Sequence, residues 1–179
     1  NIKNVKGAYL LMFKNNNTID APFVVEGAYA FSSSVPEYHQ VIKVEINLSN
    51  SYLEPKYYNS LVMKIKETVR HELEHSTQGT ERFKHYKKAR ENYLFYISQE
   101  VEIEAYVAGL YKLAKTSRQP FRNVLNGFMS KVLDSLIAKY KKTIQNPHIL
   151  YDVTQRAREA IYEIREEFII EAKRKYFIK

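Results

Sequence analysis

From Pro55 onward the apolar residues recur every three or four positions, in four successive stretches that run nearly to the end; before Pro55 they do not. This change of period constrains the fold more than any other feature. A repeat near 3.6 lays an apolar stripe along a helix, and a repeat of two lays it on one face of a strand. Val41 to Leu48 shows the second kind. Ile42, Val44, Ile46 and Leu48 point one way, and Lys43, Glu45 and Asn47 the other. Two further strand candidates precede it: Ala8 to Phe13, ended by the turn signal Asn15-Asn16-Asn17, and Phe23 to Phe31, with Gly27 inside it. Strands followed by helices predict an α+β chain with a small N-terminal sheet.

The first helix is expected over Lys56 to Gln78, with Pro55 in its first turn, Leu61, Val62, Ile65, Val69 and Leu73 on one face, and Gly79 as its C-cap. A second runs from a Ser98 cap to about Lys115 on Ile103, Tyr106, Val107, Leu110, Leu113 and Ala114. Pro120 and Asn146-Pro147 are breaks. They bound a third helical stretch, Phe121 to Lys142, and a fourth, Thr154 to Tyr176, dense in charge of both signs.

Composition excludes several classes. With no Cys among 179 residues, disulfide scaffolds and Cys-rich structural zinc are ruled out, so any metal must be held by His and carboxylate. No apolar run approaches the roughly 18 residues of a membrane span, so no membrane partner is expected. Lys and Arg total 28 against 20 acids, a formal charge of +8. Such a charge suits an acidic partner, and Arg82 to Arg90 is the most basic stretch. No nucleic-acid motif accompanies it, so a lysine-rich solvated surface is favoured over nucleic-acid binding. The chain begins at Asn1 rather than Met, so a missing targeting segment excludes no compartment; a cytoplasmic or virion-associated setting is expected.

The residues that carry chemistry are His71-Glu72-Leu73-Glu74-His75. Two His four apart on a helix share a face, so both imidazoles can ligate one metal ion. Glu72 lies about a quarter turn round, where its carboxylate can reach a water on that metal. It would serve as the base that activates the water and as the acid that returns the proton to the leaving amine. From this composition, His-Glu-x-x-His arises by chance in roughly one chain in a hundred of this length. The competing reading is a surface helix whose His and Glu pair with Lys64 and Arg70.

A catalytic zinc needs a third protein ligand. His85, His148, Glu100, Glu102 and Glu104 are the candidates. On a helical wheel Glu102 falls with Tyr106, Gly109 and Leu113 beside the apolar face, and Ala105 leaves room for a close helix approach. Glu104 falls nearer the polar side. Glu102 is therefore the expected third ligand, with Glu104 in reserve.

His71-Glu72-x-x-His75, followed by Glu102-Ile103-Glu104-Ala105 on a second helix, resembles the gluzincin branch of the zincin metallopeptidases. It also resembles small metallopeptidase-like proteins encoded by tailed phages. The resemblance covers roughly residues 23 to 115. It implies a zincin-like fold, Zn2+, peptide-bond hydrolysis of a peptide or protein substrate, and a sheet whose edge strand holds extended substrate. Val41, Ile42, Lys43, Val44 and Glu45, just before the helix, are the natural edge-strand candidate. Two departures stand out. Gluzincins often place an Asp four residues after the third ligand, where this chain has Tyr106. They also carry a downstream His or Tyr that stabilises the oxyanion, and no residue identifies itself here. Tyr96, with Tyr93 beside it, is the candidate by proximity to the ligand helix.

The expected organisation is a zincin-like catalytic half, residues 1–116, and a helical extension, residues 117–179. The extension would pack on that half or serve assembly, the last stretch by self-association or docking to something larger. The favoured function is a zinc-dependent peptidase with Glu72 as general base. The alternative is a zincin-fold virion structural or assembly protein that does not turn over substrate.

Overall fold

The computed structural model describes residues 7–16, 19, 21–31, 40–49, 53–78 and 92–177. The chain divides into two compact units, Asn1–Arg82 and Phe83–Lys179. The architecture is α+β, a three-stranded N-terminal sheet followed by helices.

In the first unit, β1 (Gly7–Asn15), β2 (Phe23–Phe31) and β3 (Gln40–Leu48) form a sheet in the order β1-β3-β2. β3 pairs parallel to β1 and antiparallel to β2, with Leu11 and Gly27 both opposite Val44. A short 3-10 turn, Pro55–Tyr57, leads into α1 (Tyr58–Thr77), which lies on β2 and β3. The alternation in β3 decides which face it covers. Ile42, Val44 and Ile46 are buried with Val25, and Phe23, Tyr29, Leu48, Leu61, Ile65, Val69 and Leu73 pack against them. Val62, expected on that stripe, is instead exposed. The helix ends at Gln78, whose backbone is extended and whose N–H is bonded to the His75 carbonyl. Gly79, the expected cap, lies outside the described residues.

One expectation is overturned by the strand order. Val41 to Glu45 lie in the central strand, and both backbone edges of β3 are taken up by β1 and β2. Extended substrate has no hydrogen-bonding edge there. Lys43 and Glu45 serve the sheet: Glu45 accepts ion pairs from Lys14 at 2.9 Å and Lys43 at 3.0 Å. Hydrogen bonds from these two ammonium groups lower the Glu45 carboxyl to about 2. The edge strands among the described residues are β1 and β2.

The second unit contains α2 (Tyr93–Ile97), α3 (Glu100–Ser117), α4 (Phe121–Thr143) and α5 (Pro147–Tyr176). Ser98 does not cap α3; it closes the separate short helix α2, whose N-cap Asn92 accepts from the Leu94 and Phe95 N–H groups. α5 starts seven residues before its expected beginning at Thr154. Pro147 supplies the first-turn φ, and the Asn146 side chain accepts from the His148 and Ile149 N–H groups, so the apparent break is a helix start.

Ile103, Val107 and Leu110 of α3 share one core with Leu125, Met129 and Val132 of α4 and Ile161, Ile164 and Phe168 of α5. α3 thus falls in one compact unit with α4 and α5. The apolar face of α5, expected to seek a partner, is buried in this core through Ala157, Ile161, Ile164, Phe168, Ile169 and Ala172. Phe168 is fully buried, with its ring 6.2 Å from those of both Tyr106 and Phe128. Phe168→Ala is expected to cost about 3–5 kcal/mol, read as a lowered midpoint in urea with an unchanged slope.

Candidate metal centre

α1 carries an unusual number of buried polar groups in its second half: Glu67, Thr68, Glu72, Glu74, His75 and Gln78. Such groups are costly to bury unless they are bonded to one another or to something polar. Two of them are ion-paired along the helix, Glu67 with Lys64 at 2.9 Å and Glu74 with Arg70 at 3.0 Å. The competing reading foresaw the His and Glu of His71-Glu72-Leu73-Glu74-His75 pairing with Lys64 and Arg70, and one such pair is present: Glu74, inside that segment, holds Arg70, while Lys64 is taken by Glu67.

His71 and His75 lie one helical turn apart with ring centroids 4.7 Å apart and rings nearly perpendicular. Their Nε2 atoms face each other at 3.1 Å. The Nδ1 of His75 lies 2.8 Å from the side-chain oxygen of Gln78. With Nδ1 turned to the Gln78 oxygen, which can only accept, Nε2 is the ring nitrogen that His75 turns toward His71. A hydrogen-bonded second nitrogen is the usual way a protein fixes a ligating histidine. Two imidazole nitrogens on one tetrahedral zinc, each about 2.0–2.1 Å from it, stand about 3.3 Å apart. The observed separation fits that requirement with little movement.

Glu72 is directed differently. At about 100° per residue it lies some 100° from His71 and 60° from His75, in the middle of the stripe that packs on the sheet. Its carboxylate is buried against β2 at Gly27: a Cβ built on that glycine would fall 2.3 Å from Glu72 Oε1. Gly27 was visible in the sequence as an isolated glycine inside a strand pattern, the usual mark of a close approach. Its partner was not visible.

In the second unit, Glu102 is completely buried in the first turn of α3. Glu104, two residues on, faces α5, where Arg174 approaches it at 3.7 Å. Glu100 is exposed, and His148 is exposed in the first turn of α5. His85 lies outside the described residues, as does the basic stretch Arg82 to Arg90. Tyr106, one turn after Glu102, lies with its ring 5.0 Å from that of Phe128. Burial pushes its phenol well above the ordinary tyrosine value, and Tyr93, Tyr96 and Glu102 nearby act in the same direction. The ring of Tyr93 stacks on that of Tyr96 at 6.3 Å. Tyr93, Tyr96, Tyr106 and Glu102 thus form one polar group within this unit.

No protein-family model matches the chain, and neither a curated protein nor a solved structure does.

Proposed function

We propose that the chain is a zincin-like, zinc-dependent peptidase in which His71, His75 and Glu102 hold the metal and Glu72 is the general base. The observation that carries this reading is the facing pair of imidazole nitrogens, 3.1 Å apart, with Gln78 engaging the far nitrogen of His75. Two imidazoles and one carboxylate are the donor set of many catalytic zinc sites, which keep a fourth position open. When bound, zinc would polarise the scissile carbonyl and acidify water.

The chain's own residues supply the rest. Glu72 takes the proton of the attacking water and returns it to the leaving amine. Tyr96 is proposed to donate toward the oxyanion. With β3 closed on both sides, the edge that receives an extended peptide is assigned to β2, the edge strand against which the Glu72 carboxylate lies. A peptide added there would run beside the base.

The ligand choice has a direct test in the metal content of purified variants. Glu102→Ala is expected to lose stoichiometric zinc. Glu104→Ala is expected to keep it, because that carboxylate faces α5, with Arg174 at 3.7 Å. The reverse pattern would move the third ligand to Glu104. Peptide hydrolysis that stops with chelator and returns with zinc would support the enzyme reading; a zinc-loaded chain inert toward a diverse peptide mixture would favour the assembly role.

A further inference from the structure

Gly27 stands in the interior of β2, opposite Val44, where a glycine weakens a strand relative to alanine. Backbone conformation does not demand it, because no described glycine has a positive φ. The reason is space. Alternation puts Val25, Gly27 and Tyr29 on the face that α1 covers, and Val25 and Tyr29 pack side chains there. At Gly27 the corresponding volume is occupied from the helix side. A Cβ would meet Glu72 Oε1 at 2.3 Å, Thr68 Cγ2 at 2.7 Å and Glu72 Cδ at 2.8 Å, closer than real carbon contacts permit.

We infer that Gly27 is a positioning residue for Glu72: the absent side chain leaves the slot on β2 in which the carboxylate rests. The catalytic part of this inference rests on the proposed role of Glu72, and the slot itself does not. Glu72 projects from the centre of a helix stripe otherwise built of Leu61, Ile65 and Val69, where an apolar residue would ordinarily meet the strand. A carboxylate there can stay beside the histidine turn only if the strand opposite offers no side chain. Thr68, one turn earlier, closes the slot from the other end. The glycine therefore sets how far the carboxylate stands from the His pair.

The test is Gly27→Ala in the full chain, with Gly27→Ala/Thr68→Ser as a second variant that removes the methyl contact and keeps the one with Glu72. The 13C resonance of the Glu72 carboxylate, assigned by its loss in Glu72→Gln, is expected to move in both variants. A resonance unmoved in a folded variant would overturn the inference whether or not the chain is a peptidase. For hydrolysis, a displacement on the order of 1 Å predicts a roughly 100-fold fall in kcat with zinc content retained. In a Glu72→Gln background the same glycine substitution is expected to cost nothing further. An equal loss in that background would show a merely structural effect and overturn the positioning role. An inactive wild type would count against the peptidase reading alone, since the resonance still reports on the slot.

Discussion

Replacing His75 by Ala is expected to remove stoichiometric zinc from the purified chain. Zinc affinities at four-ligand structural sites correspond to about 10–16 kcal/mol, so one ligand of a comparable set is worth roughly 3 kcal/mol, or ~100-fold in affinity. The loss here is expected to be at least that large, because His75 does two things. It offers Nε2 toward the facing nitrogen of His71, and its Nδ1 is held by Gln78. Alanine deletes the ligand and leaves the Gln78 oxygen without that donor. The measurement is competitive titration against a chelator of known affinity, beside a thermal melt of the metal-free protein. Zinc retained in full by a folded His75→Ala chain would refute the proposed centre, and with it the peptidase mechanism.

Glu72→Gln separates metal binding from chemistry. Glutamine keeps the shape and fits the same slot against Gly27, so the fold and the zinc content are expected to be unchanged. It cannot accept the proton of the attacking water. General-base catalysis contributes about 10²–10⁴-fold, and kcat is expected to fall by that factor with little change in KM. A variant that turns over peptide at the wild-type rate would remove Glu72 from the mechanism while leaving the metal ligands standing. A variant that loses zinc together with activity would make Glu72 a ligand or a structural support.

Periodicity in the sequence determined the kinds and order of the main elements and the face that β3 buries. The alternation of Ile42, Val44 and Ile46 and the stripe Leu61, Ile65, Val69, Leu73 meet in one apolar layer as the spacing required. The i, i+4 relation of His71 and His75 is equally local. One turn of helix suffices to bring the two nitrogens face to face.

What the tertiary structure alone decided is what each face meets. Alternation in β3 reads the same whether the strand is central or at an edge, because it reports the two faces and not the neighbours; β1, more than 25 residues earlier, settles the matter by pairing with it. The amphipathic pattern of α5 likewise names an apolar stripe without naming its partner, and α3 and α4 supply it. Glu102 and Glu104 differ by a fraction of a helical turn in the sequence. Only the packing of α3 on α5 brings Glu104 to within 3.7 Å of Arg174, seventy residues on. Gly27 and Glu72 are 45 positions apart, and only the packing of α1 across β2 turns a missing side chain into a place for a carboxylate. Local periodicity carries no information about contacts of that separation, since they are fixed by which apolar faces close on each other when the whole chain folds.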